Sequence, residues 1–425
     1  MLTLRLQQAG YALPWLFGCA MFTAQATTLD QTLAAAEQYS AEISANHHQV
    51  NALNNMADSA MQLPDPKLKV GIENFPVSGA NAHRFTRSDM TMQRVGIMQD
   101  YVSSTKRERK SDAIRAEARK AEANQDVIRA TLQREASLAW FALALGQHAQ
   151  QAIERLLNDT QRQLGMQKAG VASGSNSASS VLALQLTVNE MKNQLDNAKR
   201  DVEVARSRLK QLTGADITRV SGDFPTITRL PASQSALIDA IKQHPEIIQA
   251  AREADAAKAK SAQSAVAAIP DVGVEVYYGK RADGLEDMGG VMLTVDLPLF
   301  KSRRQDKDYA ADMSRTYEAN DQLTLLTRAH QAELDALIAQ YQAAKSIYDR
   351  QATEVIPLQR SRLKLLDAEY RTGSSGLAEN LDARRALLNS EIEQINAQKA
   401  LAASWAAIRY LIPQDTKLLP QETKQ

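Results

Sequence analysis

The 425-residue chain holds one cysteine, Cys19, and six scattered histidines. This excludes a disulfide framework and any multi-cysteine zinc or iron–sulfur centre. Glycine (18) and proline (12) are scarce for the length, and aromatic residues make up only 5%. Few breakers, set among abundant Ala, Gln, Leu, Glu, Lys and Arg, predict long helices. An excess of one charge is also missing: 50 basic against 49 acidic residues leave +1, so no global field recruits nucleic acid. Beyond residue 26 no run of eighteen apolar residues occurs, which leaves no transmembrane helix. Enzyme signatures are lacking as well. The glycine-rich stretch 170–174 does not follow a strand and lacks the Lys-Ser/Thr ending of a phosphate loop. His47 and His48 point about 100° apart on a helix, and His83, His148, His244 and His330 have no partner at metal-ligand spacing. Neither a catalytic activity nor a cofactor is expected.

What is present begins with an export signal over residues 1–26. Arg5 supplies the positive region, residues 12–22 an apolar stretch, and Ala24-Gln25-Ala26 a small-x-small cleavage site. The rival reading takes Leu16-Phe17-Gly18-Cys19 as a lipoprotein box with Cys19 acylated, although Phe17 is bulky for that box.

A spacing of about 200 residues recurs along the mature chain. Phe141 and Tyr341 are 200 positions apart, and Ala139/Ala339 and Ala144/Ala344 keep the offset. So do Val181, Val188, Leu195 and Leu212 against Leu381, Leu388, Ile395 and Ile412. Two repeats follow, 27–213 and 235–412, with a linker at 214–234 and a tail at 413–425. Each repeat opens with a helix, 29–62 or 235–268, stopped by Pro64 or Pro270. Strands are expected over 67–77 and 90–101, then 271–279 and 288–299, each pair joined by a polar loop.

Each second strand leads into a helical pattern too long for a compact domain, 106–164 and 302–371, on the order of 90 Å for the first. Gly/Ser-rich tips at 165–180 and 371–378 then turn the chain into a shorter return helix. In the first of these, Val181, Leu184, Val188, Met191, Leu195, Ala198, Val202, Ala205, Leu209 and Leu212 alternate steps of three and four, a heptad seam.

Four strands of about ten residues have the length to cross a bilayer at a tilt, but four cannot close a barrel. Several chains must share one. The competing reading is a soluble sheet packed on helices. Against it, Lys69, Gly71, Glu73, Arg94, Gly96, Asp100, Gly273, Glu275, Thr294 and Asp296 line the opposite parity from the apolar residues, which suits a water-filled lumen. On that basis Val95, Ile97, Val274, Val276, Leu293 and Val295 should face lipid, and Arg should be tolerated at Glu275. Basic clusters at 106–110 and 301–304 mark the starts of the long helices, with anionic lipid as a second reading.

The order of elements, and the turn Tyr370-Arg371-Thr372-Gly373 followed by Leu381-Asp382-Ala383-Arg384, resembles the outer-membrane efflux protein family, the TolC-like channel tunnels. The first tip, 168–185, lacks the Leu-Asp-Ala core. The resemblance implies a mainly α fold with membrane β: duplicated helix, β-hairpin, long helix, helix halves, assembled as a homotrimer with a 12-stranded outer-membrane barrel continued by a periplasmic α-helical barrel. It also implies a periplasmic adaptor and an inner-membrane pump of the proton-driven RND type. The hairpin tips, with Gly170, Gly174, Tyr370, Gly373 and Gly376, would be the docking turns, and Glu379 and Asp382 a constriction ring. Helix capping is the alternative role for these two acids. Stretches 64–68 (PDPKL), 73–76 (ENFP) and 90–99 (MTMQRVGIMQ) are similar to the heavy-metal cation branch, for which copper, silver or zinc is the expected cargo. Met90, Met92, Met98 and Met292 share lumen parity and would offer soft thioethers, or serve as filler. A duct for drugs or type I protein secretion, and a periplasmic coiled-coil scaffold without a barrel, are the alternatives.

Overall fold

The computed structural model describes residues 27–85, 88–172, 177–222, 224–281, 284–372, 374 and 376–411. The expected signal segment with Cys19, the tail 413–425, and Gly174 and Gly373 of the tips lie outside them.

The chain starts with α1 (Leu29–Tyr39) and α2 (Ala41–Ala60). Thr28 caps α1 reciprocally with Gln31, a capping box. Ser40 is extended and caps α2 by accepting from the Ile43 N–H, so the single helix expected over 29–62 is two. Strands β1 (Lys67–Glu73) and β2 (Met92–Tyr101) follow. Then come α3 (Ser104–Ala172), 69 residues and about 100 Å long, and α4 (Ala178–Thr213), which ends on Gly214 at φ 70°.

Beyond the linker, α5 (Gln234–Ile241) and α6 (Pro245–Ala265) are separated by the His244-Pro245 start of α6, which splits the second expected helix in the same way. Strands β3 (Val272–Lys280) and β4 (Met288–Val295) lead to α7 (Gln305–Arg350), a π turn at Gln351–Val355, α8 (Ile356–Thr372) and α9 (Leu377–Arg409). The uninterrupted helix expected over 302–371 is thus corrected. Pro357 has no N–H to donate, and in a regular helix its ring would meet the carbonyl of Thr353; the wider π turn ahead of it relieves both.

The four strands form one antiparallel sheet in the order β1-β2-β3-β4. Two strands are shorter than expected. β1 stops at Glu73, because Asn74 adopts φ 55° and Pro76 follows; β4 stops at Val295, ahead of Pro298. Among the described residues β1 and β4 each keep one unpaired edge.

The main core lies where the linker crosses the helices. Leu29 and Leu33 of α1, Trp140, Phe141 and Leu143 of α3, Leu209 of α4, Ile227, Ile241 of α5, Leu334 and Tyr341 of α7 and Leu401 of α9 pack there. Trp140 donates to the Thr27 carbonyl at 3.0 Å and Tyr341 to the Ile227 carbonyl at 2.9 Å, so both large aromatics bury their polar ends satisfied. The α4 seam is buried except at its ends, Val181 and Leu212. Toward the tips it packs with Ile153, Leu156 and Leu157 of α3 and Leu388 of α9.

Candidate functional site

The register sets the two faces of the sheet. Leu68, Ile97, Val276 and Val291 form one cross-strand row, and Val70, Val95 and Tyr278 the next, because residues paired in an antiparallel ladder share a face. This face is bare: Leu68 is 69% exposed, Val70 75%, Val276 59% and Val291 73%. So contiguous an exposed apolar surface marks an interface with something apolar.

The opposite face is a charge network. Glu275 of β3, 3% exposed, accepts from Lys69 Nζ at 2.7 Å and from Arg94 Nη2 at 2.8 Å. Arg94 also pairs with Glu73 and lies 3.6 Å above the Tyr277 ring. Tyr277 in turn occupies the space that a side chain at Gly290 would need, so Gly290 is required for this stack. Lys67 pairs with Asp100 at 2.6 Å. Arg at Glu275, acceptable on strand parity alone, is disfavoured by this network: the new guanidinium would stand beside Lys69 and Arg94 with no carboxylate between them.

Met98, Glu275 and Met292 form one row on this face. Met98 reaches over Gly273, and Met92 opens β2 beside Gly279. Met90 departs from the group. It sits in the turn before β2 and is 67% exposed, so strand parity does not fix its direction. Met288, paired with Gly279, shares the face as well.

At the strand-to-helix junction Lys106 donates to Asp271 at 2.7 Å and to the Ile269 carbonyl at 3.0 Å. Arg107 donates to the carbonyls of Val102 and Met61. These cations tie the start of α3 to the end of α2 and to the residues flanking β2 and β3.

At the second tip, Gly376 takes the cap position of α9 without a side-chain oxygen to offer. Glu379 falls in the first turn, where a carboxylate interacts favourably with the helix dipole. Asp382 lies beyond that turn with its side chain 70% exposed, 3.7 Å from Arg385, so capping does not explain it. Behind them sits a polar cluster with little sequence signal. Asn380, fully buried, donates to Asp367 at 2.6 Å and accepts from Arg384 at 3.0 Å; Arg384 also reaches Asp367 at 2.8 Å. Gln167 of α3 donates to Tyr370 of α8, joining the two hairpins. Gly170 is still helical, so the first turn begins later than expected.

No family model matches the chain, and no curated protein does. Solved structures do. CusC, described as forming a transmembrane channel, is similar at 15% identity and a TM-score of 0.76, over 93% of this chain and 96% of its own. VceC, an outer-membrane protein of Vibrio cholerae, is similar at 18% and 0.71, over 90% and 95%. The CmeC outer-membrane channel of Campylobacter jejuni is similar at 13% and 0.70, over 98% and 96%. The fold is that of these outer-membrane channels.

Within this channel fold the bare apolar face and the charged face belong to the short sheet, and the polar cluster belongs to the far end of the helices. Among the described residues no helix is long and apolar enough to cross a membrane.

Proposed function

We propose that the chain is the outer-membrane channel of a tripartite efflux system: a passive, trimeric duct rather than an enzyme, reaching from the outer membrane into the periplasm. The observation that carries this reading is the sheet. Its two unpaired edges and its exposed apolar face are both intolerable alone, and both are resolved if β4 of one chain pairs with β1 of the next. Three chains would contribute twelve strands, with Lys69, Arg94 and Glu275 toward water and Leu68, Val276 and Val291 toward lipid. The recurrence of helices, hairpin, long helix and return helix on either side of the linker supports a duplicated origin.

The helices then continue the duct through the periplasm, with the tips docking a periplasmic adaptor beneath an RND-type pump that supplies the energy. Asp382, with Glu379, would gather carboxylates around the threefold axis and favour cations. Heavy-metal cations such as copper, silver or zinc are the proposed cargo. The row Met98, Glu275, Met292 supports that choice by setting two thioethers beside a carboxylate on the water-facing side. The test is reconstitution of the detergent-extracted full chain in planar bilayers. Cation-preferring conductance steps support the duct; extraction of the protein only in the soluble periplasmic fraction removes it in favour of a scaffold.

A further inference from the structure

A site lies away from both the sheet and the tips. His244 and His330 are 86 positions apart in sequence, so a search for partners at metal-ligand spacing along the chain does not find their relation. Their rings stack at 3.9 Å between centroids, tilted by 30°, and both residues are buried. His244 caps α6, accepting at Nδ1 from the Glu246 N–H at 3.3 Å; His330 comes from the middle of α7.

His330 stands between two carboxylates. Its Nε2 is 3.0 Å from Glu246 Oε2 and its Nδ1 is 3.1 Å from Glu333 Oε2. A carboxylate only accepts, so both ring nitrogens are asked for a proton, and a neutral imidazole carries one. Doubly protonated, His330 would place a charged ring against a second buried imidazole. A cation in place of the proton between Nε2 and Glu246 satisfies both ring nitrogens of His330, while His244 would exchange the Glu246 N–H that its one lone pair now accepts for the metal. Glu333 then holds Nδ1–H, the orienting role that carboxylates play behind metal-bound histidines.

We propose that His244, Glu246 and His330 bind one zinc-class divalent cation per chain, clamping the start of α6 to α7. One ring nitrogen of each histidine and a Glu246 oxygen already lie within 4.8 Å of one another. Bonds of about 2.0–2.1 Å at tetrahedral angles need about 3.3 Å between ligand atoms, a closure within reach of side-chain rotation, since Glu246 is partly exposed. Imidazole and carboxylate without thiolate suit zinc rather than the monovalent soft ions that thioethers select, which separates this site from the methionine row.

The surroundings agree. The group borders a cavity of about 220 Å³, walled also by Thr131, Arg134 and Tyr410, which leaves room for a water as the fourth ligand. The cation would brace the rim of the main core, where Ile247 and Leu334 are neighbours of the two histidines in sequence.

The test is equilibrium dialysis of chelator-stripped, detergent-solubilised full chain against Zn²⁺, with bound metal counted by atomic emission and the melting temperature recorded alongside. One tight Zn²⁺ per chain and a raised melting temperature are expected. His244→Asn keeps an oxygen for the Glu246 N–H and so preserves the cap, but it removes a ligand. It should abolish both effects, while Glu333→Gln should weaken binding by about 10–100-fold. The proposal is overturned if wild type takes up no Zn²⁺. It is also overturned if His244→Asn, folded by circular dichroism, binds as tightly, since the metal then sits on surface groups such as His47 and His48.

Discussion

Replacing Val276 by Arg tests the orientation of the sheet at its most sensitive point. Val276 is the central residue of the nine in β3, flanked by Ile97 and Val291 on a face where all three side chains lack cover from their own chain. A strand centred in the bilayer puts this position near the midplane, where Arg costs about 2–4 kcal/mol. Three copies in one barrel bring this to about 6–12 kcal/mol per trimer, and each 1.4 kcal/mol is a factor of ten in the assembly equilibrium. The control is Thr294→Arg on β4. Thr294 is exposed on the charged face and pairs with Gly273, which lies against Asp100, so the added cation meets a carboxylate and water. Heat-modifiable oligomer in outer membranes, read on gels of unboiled samples, should be lost for Val276→Arg and retained for Thr294→Arg. Equal oligomer for the two variants would refute the assignment of lipid and lumen faces.

Glu379→Ala combined with Asp382→Ala should raise single-channel conductance and weaken cation preference; if only thermal stability falls, the two acids cap α9 and the constriction lies elsewhere. Arg384→Ala strips Asp367 and buried Asn380 of a shared partner. It should cost about 1–3 kcal/mol, seen as a lowered melting temperature. Replacing Met92, Met98 and Met292 together by Leu should reduce copper or silver tolerance in a strain that relies on this duct, and unchanged tolerance ends the thioether idea. The lowered pKa of His244, about 4 against 6.5, predicts a contribution to stability that is present above pH 6.5 and lost as pH falls toward 4. With metal removed, thermal melts should therefore show a smaller acid loss in His244→Asn than in wild type.

Period-two strands and the heptad seam were legible because each depends on spacing within one element, so Leu68, Val70, Val95 and the α4 row needed no tertiary knowledge. Strand ends and helix breaks were less so. The breaks at Ser40 and His244 rest on single capping residues, and the π turn depends on how the helix absorbs Pro357. The Glu275 network and the Asn380 cluster were illegible for a different reason. Glu275 joins Lys69 across 206 positions, and Gln163 meets Asn380 across 217, so burial of these polar groups is decided by register and helix packing rather than by neighbours in sequence. The histidine pair was missed on the same ground.

Native mass spectrometry of the full chain extracted from outer membranes tests most directly the claim that three chains close one barrel. The account predicts a dominant species of three times the mature chain's mass, converted to single chains by Val276→Arg. A single-chain species from wild type that keeps its fold in detergent, with β1 and β4 unpaired, would contradict it.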